Sequence, residues 1–171
     1  MSSTEENIRQ RVVGDETSYA SAAEYSLEDV LGQFLALYSG IDFDGKLDDL
    51  GLNRFNSTRR RRIQRELQGL SIALWHLALC KSFPDNAYFF FQEFKKKSPV
   101  TNTSDSSGEE MRLRIDAYIE LLQEKKDTDF LPVASYLADI VARDNTDMQS
   151  LRLKLSLMIR SLYNRIFTKL V

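Results

Sequence analysis

The sequence predicts an all-α protein, an antiparallel bundle of about five helices plus a short aromatic-rich helix. Apolar residues recur at three- and four-residue steps along several separate stretches, the spacing that lines one face of a helix. No stretch sustains the apolar–polar alternation of a half-buried strand. Seven glycines and three prolines in 171 residues are also few for the many turns of a sandwich or barrel.

Residues 1–25 are polar, with scattered apolar positions, and are expected to form a mobile arm or a weak helix. Residues 26–171 are expected to form a single helical domain. The first helix starts at Ser26, which with Asp29 resembles a capping box, while Tyr25 and Val30 stand where a hydrophobic staple would sit. Leu27, Val30, Leu31, Phe34, Leu35 and Tyr38 give it one apolar face, and Gly40 stops it. A connection rich in Asp and Gly follows from Ile41 to Phe55.

The second helix begins near Asn56, Ser57 or Thr58 and ends at Phe83-Pro84. Its main stripe is Ile63, Leu67, Leu70, Leu74, Leu77 and Ala78, and Ile72, Trp75 and Leu79 add a second apolar side. A helix apolar on more than one side belongs at the centre of a bundle. The short aromatic helix runs from about Pro84 to Lys97, with Lys95, Lys96 and Lys97 suited to its last turn. The polar run from Ser98 to Glu110 reads as a flexible surface loop.

The third long helix carries Met111, Ile115, Tyr118, Ile119 and Leu122 on one face and closes at Lys125, Lys126 and Asp127. A fourth spans about Asp129 to Arg143, with Pro132 in its first turn. Thr146 and Gln149 form a second capping box, opening a fifth helix with Leu151, Leu155, Met158, Leu162 and Ile166 on one face. Leu153, Leu157 and Phe167 cover another side of that helix, so it is expected to be buried or dimeric.

Function classes are mostly excluded. A net charge of −2 gives no whole-protein attraction to nucleic acid or membrane. The longest near-apolar window, Leu70 to Cys80, is too short to cross a bilayer. The single cysteine allows no intrachain disulfide and fits a reducing, cytoplasmic setting. His76 and Cys80, four residues apart, share a helix face, but no second Cys or His completes a metal site, and their apolar surroundings favour a structural role. Glu-x-x-His pairs and phosphate-cradling glycine patterns are absent. Asp42, Asp44, Asp48 and Asp49 crowd one loop, but counting twelve from Asp42 reaches Asn53 rather than a glutamate, so the calcium-loop spacing fails. No catalytic residue, metal ligand or cofactor is assigned.

Two clusters remain as candidate sites. Arg59, Arg60, Arg61 and Arg62 are consecutive, with Arg65 close by, at the positive N-terminal end of the second helix. Cations there need an anion: the acidic loop upstream, an external phosphate or nucleic acid, or an acidic partner. Consecutive residues step about 100° around a helix, so four adjacent arginines suit several separate pairings better than one groove. Pairing with the upstream Asp loop is therefore expected. The second cluster is aromatic, with Tyr88, Phe90, Phe91 and Phe94 as candidates for a partner contact or an apolar pocket.

The expected role is a non-catalytic protein-interaction or assembly module, self-associating as a homodimer or binding another protein. The alternatives are a nucleic-acid or phosphate binder using Arg59 to Arg65, and a small-molecule sensor with an apolar pocket in the bundle.

Overall fold

The structure is a computed structural model that describes residues 26–52, 57–102, 106–123, 130–143 and 146–170. Among them are seven helices and no strand: α1 (Leu27–Ser39), α2 (Phe43–Asp49), α3 (Ser57–Ser82), α4 (Ala87–Lys97), α5 (Ser106–Gln123), α6 (Leu131–Val141) and α7 (Met148–Leu170). The amino-terminal arm expected over 1–25, including Tyr25 of the staple, lies outside the described residues, as do Lys125, Lys126 and Asp127. No described helix is long and apolar enough to cross a membrane.

The fold class is the one the periodicity predicts, with one helix added. Ser26 caps α1 by accepting from the Asp29 N–H at 3.1 Å, and Gly40 donates back to Ala36 and Leu37. The connection read from Ile41 to Phe55 contains α2. Asp42 caps it, accepting from the Gly45 N–H at 2.8 Å. Gly51 closes it at φ 71°, with its N–H on Asp48 O and the Leu52 N–H on Leu47 O. That pair of bonds is a Schellman motif, and Leu47 and Leu52 are both buried beside it. Seven residues of mixed charge give too short a stripe to show as a helix in the sequence.

Helix α3 is the axis. Leu70, Ile72, Leu74, Trp75 and Leu79 are fully buried although they point in different directions around it. It packs against α2, α4, α5, α6 and α7, while α1 closes over α4 and α7. Trp75 stacks on Phe34 of α1 at 4.3 Å between ring centroids and meets Phe94 of α4 edge-on at 4.9 Å. Helix α4 runs back along α3, with Phe90 near Phe83 and Phe94 near Trp75.

The antiparallel arrangement does not extend to α3 and α5. Glu66 meets Arg114, and further along Ala73 and Cys80 line a crevice with Ile119 and Gln123, so the two helices run parallel. The short α4 makes the return pass between them. At Gly69 a β-carbon would lie 3.3 Å from the Arg114 β-carbon, so the missing side chain lets the helices approach. The central polar contact is here: Arg114 Nε donates to Glu66 at 2.8 Å and Tyr118 Oη donates to the other carboxylate oxygen at 3.0 Å.

Three further boundaries differ from the sequence reading. Helix α4 starts at Ala87, because Phe83 to Asn86 forms a turn whose carbonyl at Phe83 accepts from Asn86 and Ala87. Helix α5 starts at Ser106, inside the expected loop over 98–110. Ser98 and Thr101 of that segment are buried, and Thr101 is held between the Lys95 carbonyl and Arg112. At the start of α7 the cap is Asp147, which accepts from the Gln149 and Ser150 N–H groups. Thr146 instead accepts from the Arg143 N–H.

Replacing Arg114 by Met is expected to cost about 3 kcal/mol, because the buried Glu66 carboxylate loses its charge partner. Replacing Glu66 by Leu as well recovers most of that loss. Urea unfolding followed by Trp75 fluorescence measures both. A second expectation concerns alkaline pH. Burial pushes the Tyr38 phenol up to about 12, and it also raises Tyr118 and Tyr163. Unfolded tyrosines lose their protons near pH 10 while the folded ones keep them, so stability is full below that pH and falls as pH rises toward 12. The Tyr38 hydroxyl has no hydrogen-bond partner among the described residues. Tyr38→Phe should therefore reduce the alkaline slope without lowering stability at pH 7.

Candidate functional site

The arginine run does not form one surface. Arg60 turns back onto α2, where Nη1 lies 2.6 Å from Asp48 and Nη2 lies 2.9 Å from Asp44. The same guanidinium donates to the carbonyls of Leu52 and Asp44. The hydrogen bonds it donates to Asp48 and then Asp44 hold its pKa above the usual arginine value. The pairing with the upstream acidic loop is therefore present, through this one residue. Arg59 reaches the opposite way, donating to the carbonyls of Val141 and Ala142 at 2.5 and 3.0 Å, at the end of α6. Burial, with Arg143 adding to it, holds its pKa below the usual value. Arg61, Arg62 and Arg65 are exposed, with Arg65 3.8 Å from Glu110.

The aromatic cluster divides in the same manner. Phe90, Phe91 and Phe94 are core residues packed on Phe83, Trp75 and Phe34. Only Tyr88 of the four candidates faces solvent, at 74% exposure. Its neighbour Phe89, part of the aromatic run but not among the candidates, is 54% exposed. Helical phase decides this, since α3 and α1 cover one side of the short helix and leave the other in solvent.

His76 and Cys80 do meet, with Sγ 3.7 Å from Nε2. Burial lowers the imidazole pKa, Lys95 lowers it further, and Asp116 opposes them. Burial also raises the thiol pKa. The imidazole is therefore neutral at pH 7 and the sulfur is a thiol, not a thiolate nucleophile. Cys80 nevertheless lies at the surface, where the apolar window leaves α3 for solvent. Among the described residues no group of His, Cys, Asp and Glu is arranged to hold a metal ion.

A larger concavity lies elsewhere. A groove of about 580 Å³ runs along α7, with Leu37 of α1 on its other side. Leu157, Arg160, Asn164, Arg165, Thr168 and Lys169 face it from α7. One turn before Leu157, Leu153 is 60% exposed, and Leu157 itself is 57% exposed. Five basic residues and no acidic one lie between Met148 and Leu170. Arg152 lies 3.6 Å from Asp139, and Lys154 donates to the Asp49 carbonyl. Arg160, Arg165 and Lys169 are exposed on the groove. Among the described residues, no carboxylate, imidazole or thiol lines it. The second apolar side of this helix was legible in the sequence as Leu153 and Leu157. The cation-only composition of Met148 to Leu170 was the further signal.

Comparison with protein families, with curated proteins and with solved structures finds no match for this chain.

Arg60→Gln is expected to lower the melting temperature, and high salt should shrink the difference. Arg61→Gln and Arg62→Gln should leave the melting temperature within a degree or so of the parent, since surface charges contribute little. Thermal melts at low and high ionic strength compare all three.

Proposed function

We propose that this protein is a non-catalytic interaction module that docks another protein chain on the face shared by α1 and α7. The observation that carries the reading is the exposure of Leu153 and Leu157, one turn apart, at the mouth of an open groove. Two large apolar side chains on consecutive turns raise the free energy of the solvated surface, and a partner that covers them gains about 25 cal/mol per Å² of apolar area removed from water. That no carboxylate, imidazole or thiol lines the groove among the described residues supports binding over chemistry. The phosphate-binding alternative keeps only Arg61, Arg62 and Arg65 of its cluster at the surface, because Arg59 and Arg60 are engaged within the fold. The reading places the module in the cytoplasm, where the exposed Cys80 stays reduced.

Self-association is the second reading, and exposed Tyr88 and Phe89 of α4 favour it. A twofold contact through α7 is opposed by charge, since it would set five cations against five.

Leu153→Ser with Leu157→Ser is expected to change folding stability by no more than about 0.5 kcal/mol per site, as for other exposed positions. The same pair should abolish capture of protein partners by the immobilised chain. Sedimentation of the chain alone at micromolar concentration should give a monomer. A dimer that Tyr88→Ser and Phe89→Ser dissociate would select the second reading.

A further inference from the structure

We infer that the occupant of the α1–α7 groove is an acidic amphipathic helix of another protein. The inference rests on the reading of this face as a protein-docking surface and adds the chemistry of the partner. Charge is the first argument. The whole chain is at −2, yet α7 carries Arg152, Lys154, Arg160, Arg165 and Lys169 with no carboxylate among them. Arg152 and Lys154 are engaged within the protein. Arg160, Arg165 and Lys169 are spread along the groove, and among the described residues no acidic side chain lines it. Like charges collected along one wall complement carboxylates arriving on a partner.

Shape is the second argument. From Leu157 to Lys169 the groove follows α7 for about 18 Å at the helical rise, the length of a three- to four-turn helix. Leu153, Leu157 and Leu37 supply apolar contacts, which suits a helix with apolar anchors at three- and four-residue spacing. The cations on the wall then meet acidic residues flanking those anchors.

Other occupants fit part of this and not the whole. A nucleic acid would satisfy the cations, but among the described residues no exposed aromatic side chain lines the groove for bases to stack on. An anionic bilayer would reach Leu153 and Leu157 but, being flat on this scale, would not enter the groove beside Leu37. A second copy would bring the same cations against these.

The test uses the full chain and a fluorescent helical peptide of about 16 residues, with leucines at helical spacing flanked by glutamates. A control peptide carries Gln at every Glu. Anisotropy is read at low and high salt, with anionic phospholipid vesicles and a single-stranded oligonucleotide as competitors. The acidic peptide should bind roughly tenfold or more tightly than the Gln peptide at low salt, and the gap should close as salt shortens the screening length. Arg160→Gln with Arg165→Gln should remove most of the gap. Arg61→Gln with Arg62→Gln, which changes the net charge equally on another face, should leave it. Equal binding of the two peptides, an equal effect of the Arg61 and Arg62 substitutions, tighter binding of vesicles or oligonucleotide, or no peptide binding would each overturn the inference. If partner capture still depends on Leu153 and Leu157 in any of those cases, the docking surface stands and only the acidic helix falls. If capture is indifferent to them, the docking reading falls with it.

Discussion

A helix that is apolar on every side has to be surrounded, and α3 sets that constraint for the whole molecule. From Ala73 to Leu79 its side chains leave the axis in several directions and most reach zero exposure. No two-layer arrangement can bury such a surface, so α4, α5, α6 and α7 are placed around it and α1 closes the remaining side over Trp75. Glu66 is the exception on this helix, a carboxylate at 5% exposure. Its desolvation is offset by Arg114 and Tyr118, both delivered by α5, so the register of α5 on α3 is tied to that contact. Gly69, on the same side, removes the bulk that would otherwise hold α5 away.

The cations follow from helix electrostatics. Arginines in the first turns of α3 stand at the unfavourable end of their own dipole. Arg59 extends to the last carbonyls of α6, and Arg60 reaches the end of α2. Lys154 of α7 donates to the Asp49 carbonyl, also at the end of α2. Cations that are misplaced on one helix thus serve the negative poles of others. Once those are accounted for, Arg160, Arg165 and Lys169 remain exposed along the groove, beside leucines that the bundle has not covered.

The sequence by itself determined the fold class and the central place of α3. Helical periodicity is written in every eleven or so residues, and an all-round apolar helix has only one stable location. It also determined the cap at Ser26 and the pairing of the arginine run with an acidic loop upstream, because both are short-range consequences of helix ends. Helix α2 escaped because a single helical turn or two has no period to detect. Tertiary structure alone decided which arginine meets which carboxylate, since one residue is a rotation of about 100° and only packing fixes the phase. The same rotation buried Phe90, Phe91 and Phe94 while leaving Tyr88 and Phe89 in solvent. It also decided that α1 stops short of covering Leu153 and Leu157. A groove is the space between two helices, and no local pattern in either one specifies how far apart they will stand.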